Sequence, residues 1–262
     1  MSDSILLTRD GALARVTFNR PAYLNAMDFD MANRWREVAH EVTADGRIGA
    51  VILDASGPAF CAGGDVVAMA TSGASGDAVT ATAHVIHDGI RTFALSDKPI
   101  VAAVQGAVAG GGLGLMLTAD YIVASESAKF VSKYANIGLT PDLGVTTLLP
   151  AAIGQRRTLQ LLLQDRTLDA DEALDWGLVA EVVPPAEVGG RAEHVARFWL
   201  QNATAAFGQA KRLVRVGAFR SFDENLADEA LTIGGRFDTD ESRVRVAAFA
   251  AASRKHAPKE NS

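Results

Sequence analysis

The segment "KPIVAAVQGAVAGGGLGLMLTAD", residues 98 to 120, constrains this chain more than any other. Between Lys98 and Asp120 it carries no charge and five glycines: Gly106, Gly110, Gly111, Gly112 and Gly114. A bilayer span needs roughly 20 apolar residues, and this run is long enough. Each glycine inside a helix costs about 1 kcal/mol relative to alanine, however. The run therefore predicts a strand, a turn and a short buried helix, with no membrane span. Three consecutive glycines at the mouth of a buried helix leave two readings open. Either backbone packs closely on backbone there, or main-chain N–H groups stay open to a ligand.

Spacing removes the nucleotide explanations. A dinucleotide fingerprint needs glycines at i, i+2 and i+5, but Gly110 and Gly112 lead to Leu115, and Gly112 and Gly114 to Leu117. A P-loop needs Lys and then Ser or Thr after its last glycine, where Leu113 and Leu115 stand. No Lys or Arg lies between Lys98 and Lys129 to balance a phosphate. The residues suit a smaller, transient negative charge held by amide N–H groups, and the turn "FCAGGD" at 60 to 65 offers a second donor.

Composition narrows the class. The 262 residues are 48% apolar and 21% charged, enough for one large or two modest cores. A net charge of −6 without a cationic stripe argues against nucleic acid. The lone Cys61 makes no internal disulfide, and "MSDSILLTRD" lacks the regions of a leader, so a reducing cytoplasm is expected.

Along the chain, "ILLTRDGALARVTFN" reads as a hairpin about Asp10-Gly11. In "MDFDMANRWREVAHEVTAD", Met27, Met31, Trp35, Val38 and Val42 share a helical face, with Asn25 or Asp28 as cap. "GAVILDA" is a strand, 71 to 80 a small polar loop, "AHVIHDGIRTFALSD" a helix and "KPIVAAV" a strand. "YIVAS" and "AKFVS" are short strands, and in the helix "TTLLPAAIGQRRTLQLLLQ" Pro150 marks an interruption or a junction. "DADEALDWGLVAEVVP" is a capped helix, a Gly177 stop and a strand, and helices follow from about residue 187. The pattern is an α/β body with a helical C-terminal part.

Several segments, in order, resemble the enoyl-CoA hydratase/isomerase, or crotonase, family: "NRPAYLNAM" (19 to 27), "PAFCAGGDV" (58 to 66), the glycine segment (98 to 117), "AKFV" (128 to 131), "IGLTPDLGVTTLLPAAIG" (137 to 154) and "EALDWGLVAEVVP" (172 to 184). The resemblance covers nearly the whole chain. It implies a crotonase-like α/β fold, with a spiral core of ββα turns over 1–198 and a helical C-terminal trimerisation region over 199–262. It implies an acyl-CoA thioester as substrate, coenzyme A being part of that substrate, with no further cofactor. A homotrimer or dimer of trimers is expected. The family's oxyanion donors fall on the N–H groups of Gly64 and Gly111. Substrate contacts fall on Ala62, Tyr134, His87, Arg20 and, with Arg254, Lys255, while residues near 71 to 90 shape the acyl pocket.

The departures bear on the reaction. Family members that add water hold it between two glutamates, and the matching positions carry Gly114 and Tyr134. Asp142, in "GLTPDLG", matches the single catalytic aspartate of the family's isomerases, such as the ring-opening isomerases of phenylacetyl-CoA catabolism. One base suffices to move a proton between two carbons. On the residues alone, Asp142 reads as a helix cap after a turn. A dehalogenase or thioester hydrolase of the family is a second reading, with Asp142 as nucleophile and His87 activating water. A noncatalytic acyl-CoA-binding protein is the third. His84 and His87 share a helical face, but no third ligand is apparent and no metal is expected. Asp65 reads as a helix cap, and Cys61 as a packed small side chain without a base.

Overall fold

The computed structural model describes residues 4–164 and 166–255. The chain begins with β1 (Ile5–Asp10) and β2 (Leu13–Phe18), the expected antiparallel hairpin, with Asp10 opposite Leu13. The helix α1 (Phe29–Ala44) is capped by Asp28, whose carboxylate accepts from the Met31 N–H at 2.8 Å. It buries Met31, Trp35, Val38 and Val42 on one face, whereas Met27 lies before the helix and bridges to Gly64. Next come β3 (Ala50–Ala55), α2 (Val66–Thr71) and α3 (Gly76–Ala94). The expected loop over 71 to 80 is shorter than its composition suggested. Ser75 caps α3 by accepting from the Ala78 N–H, and Asp77 sits favourably in the first turn, so the small polar residues from 76 onward are helical.

The glycine segment folds as strand, turn and short buried helix: β4 (Ile100–Val104), β5 (Ala107–Ala109) and α4 (Gly111–Met116). It leads into β6 (Tyr121–Ser125) and β7 (Lys129–Val131). In α5 (Val145–Leu163) the break is at Gly154, with φ 78° and ψ 157°, and not at Pro150, which sits inside the first helical stretch. That backbone conformation is open to glycine and costly for other residues. The strand β8 (Thr167–Leu168), absent from the sequence reading, precedes α6 (Ala170–Trp176) and β9 (Glu181–Val183). Four helices finish the chain: α7 (Val188–Gln201), α8 (Thr204–Gly217), α9 (Phe222–Phe237) and α10 (Asp240–Lys255). The expected division between 198 and 199 falls inside α7.

The strands form a sheet in the order β1-β2-β3-β4-β6-β9, parallel except for the first pair, and a small sheet β5-β7-β8. Period-two alternation divides the large sheet's side chains. Val16, Phe18, Val51, Leu53, Ala102 and Val104 join the main core, which includes Trp35 and Phe93 from α1 and α3. Leu13, Ile52, Val101 and Val123 meet Val188, Ala192, Val195 and Ala196 of α7 on the other face. Helices thus cover both faces, as a parallel sheet requires. Trp35 anchors the main core, its ring centroid 5.8 Å from that of Phe18 and 5.1 Å from that of Phe93, with its indole N–H donating to the Ile86 carbonyl.

Candidate active site

The turn at 60 to 65 runs between two other pieces of chain. On one side Cys61 bridges to Val108, and the Ala109 N–H donates to the Cys61 carbonyl at 3.0 Å. On the other, the Met27 N–H donates to the Gly63 carbonyl at 2.7 Å and the Asp65 N–H to the Met27 carbonyl at 2.9 Å. This two-sided pairing uses the amides around Gly64 and leaves its own N–H without an acceptor among the described residues. The Gly111 N–H, at the first position of α4, likewise has none. The two glycines belong to one place in the fold. A Cβ built on Gly63 would lie 3.2 Å from the Gly111 nitrogen and 2.8 Å from the Ala109 carbonyl oxygen.

The structure answers both readings of the glycine run. Close packing holds at Gly112, where a Cβ would fall 2.2 Å from the Cys61 carbonyl oxygen, and at Gly114, where it would fall 1.9 Å from the Leu143 carbonyl oxygen. Gly110 adopts φ 51° and ψ −123° to turn β5 into α4, a conformation that side chains resist. Only after these contacts does an open N–H remain at Gly111.

Asp142, Tyr134, His87 and Gly111 converge on one another. The Tyr134 hydroxyl donates to Asp142 Oδ1 at 2.6 Å, and it lies 3.6 Å from where a Cβ on Gly111 would stand. Burial, with the Asp142 carboxylate next, pushes the Tyr134 phenol above its usual range, so it remains a donor. Asp142 Oδ2 accepts no hydrogen bond among the described residues. His87 does not reach the carboxylate but the next residue: its Nε2 accepts the Leu143 N–H at 3.1 Å. Burial holds the imidazole below its ordinary pKa, against the pull of Asp142. Leu143 carries no chemistry and gave no signal in the sequence, yet it joins these groups. Its buried side chain reaches Gly111, and its φ of 49° places it in the left-handed region.

Other expected residues have different surroundings. The Arg20 guanidinium is engaged by Asp28 Oδ2 at 2.9 Å and Asp65 Oδ2 at 3.1 Å. Asp65 caps α2, so Arg20 ties together two helix starts on either side of the Gly64 turn. Ala62, half-buried, donates its N–H to the Leu24 carbonyl at 3.0 Å. Lys255 and Arg254 end α10, and their side chains lie outside the described residues. His84 is exposed, its ring centroid 6.2 Å from that of His87, and no group of three metal-ligating side chains gathers among the described residues. Cys61 is fully buried, and burial pushes its thiol up to about 12. A cavity of about 1200 Å³ reaches Asp142 and His87, walled mainly by apolar side chains such as Ile90, Leu117, Ile122, Leu148 and Val214. Gly64 and Gly111 do not line it. No helix among the described residues is long and apolar enough to cross a membrane.

Two glycine turns meeting at open amides, beside a carboxylate and an apolar cavity, on a parallel sheet with a helical C-terminal part, define an α/β fold of the crotonase type. A family model for enoyl-CoA hydratase/isomerase matches residues 8–256, and the chain belongs to that family of enzymes. It is 32% identical over 256 residues to the short-chain-enoyl-CoA hydratase of Clostridium acetobutylicum, with 94% of each chain covered. It is 31% identical over 228 residues to the 1,2-epoxyphenylacetyl-CoA isomerase of Escherichia coli, covering 86% of this chain and 87% of that one. The crystal structure of an enoyl-CoA hydratase from Polaromonas sp. JS666 matches with a TM-score of 0.88 at 26% identity, covering 95% of this chain and 97% of that chain.

Proposed function

We infer that this protein is an acyl-CoA isomerase that moves a proton and a double bond in an unsaturated acyl-CoA thioester. The observation that carries the reading is the Asp142 carboxylate, anchored at Oδ1 by Tyr134 and open at Oδ2, beside the amide of Gly111. With the thioester oxygen between the Gly64 and Gly111 N–H groups, the C–H next to the carbonyl becomes acidic. Asp142 Oδ2 takes that proton, the C–H electron pair moves into the enolate, and the oxygen takes the negative charge. Collapse of the enolate shifts the double bond as Asp142 Oδ2 returns the proton two carbons away. In other enzymes, losing one such amide-type donor costs about 3 to 4 kcal/mol of transition-state stabilisation. The apolar cavity favours an apolar acyl group.

Hydration receives less support. The position where the resemblance expects a first glutamate is Gly114, and a side chain there would collide with the Leu143 main chain. The 1,2-epoxyphenylacetyl-CoA isomerase relative favours isomerisation, while the hydratase relative shows that family membership alone does not select it. Dehalogenation with His87 as base is opposed by the Nε2 lone pair already accepting the Leu143 N–H.

The test is a panel of unsaturated and aromatic CoA esters in deuterated, oxygen-18 water, followed by mass spectrometry. Wild-type protein is expected to shift the double bond without taking up solvent oxygen, and Asp142→Asn to lose at least about 1,000-fold in turnover, within the general acid–base range, while still binding the ester. Solvent oxygen in the product would select hydration, hydrolysis or dehalogenation, told apart by the accompanying mass change. Binding without exchange at the carbon beside the thioester would select a noncatalytic protein. The same reading assigns α9 and α10, with Leu231, Ile233, Phe237, Val244 and Phe249 exposed, to contact with further copies in a homotrimer or dimer of trimers. A monomeric mass by analytical ultracentrifugation would reject that assembly.

A further inference from the structure

The geometry points to His87 as a positioning residue, whose imidazole accepts the Leu143 N–H and thereby latches the Asp142–Leu143 corner over α4. Its catalytic consequence rests on the isomerase reading, whereas the latch itself does not. Leu143 occupies the left-handed backbone region at φ 49°, where a side chain is disfavoured and surrounding contacts must hold it. Three contacts do so. The side chain is buried against Gly111, the carbonyl lies over Gly114, and the N–H meets His87 Nε2 at 3.1 Å. The last cannot be supplied by the helix, because α5 starts later, with the Val145 N–H donating to the Asp142 carbonyl.

Accepting at Nε2 fixes the tautomer, with the proton on Nδ1. It also occupies the lone pair that a general base would use. The charged groups around His87 are Asp142, which favours its protonation, and His84 and Arg91 on its own helix, which oppose it. Lys211 and Arg215 of α8 line the same cavity but are both paired with Asp120, and Tyr134 stays a neutral donor to Asp142. Burial outweighs the pull of Asp142 and keeps the ring neutral at pH 7. Protonation would set an N–H against the Leu143 N–H and open the latch. Because the folded pKa lies below 6.5, the stability from this group is complete above pH 6.5 and is lost as pH falls through the folded value.

Hydrogen exchange of the unliganded protein, over peptides spanning 139 to 148 and corrected for intrinsic rates, tests the latch without requiring turnover. His87→Leu is expected to raise exchange there at least 10-fold while the sheet peptides stay protected. His87→Gln, whose amide oxygen accepts without titrating, is expected to restore protection. In turnover, kcat should fall in His87→Leu with little change in KM, and His87→Gln should recover most of it and lose the part of the acid limb that His87 contributes to the wild-type pH profile. A nitrogen-15 histidine spectrum of wild-type protein at pH 8 should show Nε2 unprotonated. A proton on Nε2, or unchanged loop protection in both variants, overturns the proposal. So does a His87→Gln variant as inactive as His87→Leu with its loop still protected, which is the outcome expected of a base. If wild-type protein isomerises none of the esters, the isomerase reading fails while exchange and spectrum still decide the latch.

Discussion

Replacing Gly114 by alanine sets two effects against each other inside α4. Alanine is a better helix former than glycine, a gain of about 1 kcal/mol. The new Cβ, however, would stand 1.9 Å from the Leu143 carbonyl oxygen and 2.8 Å from its carbonyl carbon. Real Cβ atoms essentially never come within 3.0 Å of such atoms, so the Leu143 main chain must retreat by about 1 Å. A shift of that size carries the 3.1 Å contact between the Leu143 N–H and His87 beyond hydrogen-bond reach. Overpacking costs about 1–3 kcal/mol, and each lost hydrogen bond about 1 kcal/mol. The net expectation is a loss of about 2 kcal/mol, measured as a lower urea midpoint with an unchanged slope. Displacing Asp142 by about 1 Å should reduce turnover about 100-fold, a larger effect than the stability loss conveys. Gly190→Ala in α7, where nothing lies within 4 Å of the new Cβ, is the control and should be neutral or slightly stabilising. If Gly114→Ala matched wild-type protein in both midpoint and turnover, Gly114 would not be what seats the Asp142 corner.

The buried Lys211 ammonium donates to the carbonyls of Phe93 at 2.9 Å and Lys98 at 2.7 Å and pairs with Asp120 at 3.2 Å. Lys211→Met should therefore cost about 3 kcal/mol by chemical unfolding, near the low end for breaking a buried pair, because Arg215 still neutralises Asp120; a loss below 1 kcal/mol would show that the carbonyls find other partners. Cys61, buried and with its thiol pushed up to about 12, should be alkylated at pH 8 only as fast as the protein opens, and rapid labelling of folded protein would contradict its placement.

The sequence by itself determined the local elements and their order, because each is written in short-range chemistry. Short apolar runs and the Asp10-Gly11 turn marked the strands, Asn25 or Asp28 the start of α1, where Asp28 is the cap, and Gly177 the end of α6, where it caps the helix in the left-handed conformation. The glycines at 110 to 114 announced close backbone approach, and the resemblance directed attention to Gly64, Gly111 and Asp142 together. What the sequence left undecided involved partners far along the chain. Pro150 looked like the break in α5, but it lies within the helical stretch and the non-helical residue is Gly154. Arg20 stood as a substrate contact by resemblance, and only the fold brought Asp28 and Asp65 around it. The part played by Leu143 depends on three elements meeting at one residue, because neither its backbone angle nor its neighbours follow from its identity. Tertiary structure alone could decide that this aliphatic residue, pressed over glycines and bonded to His87, fixes where the Asp142 carboxylate stands.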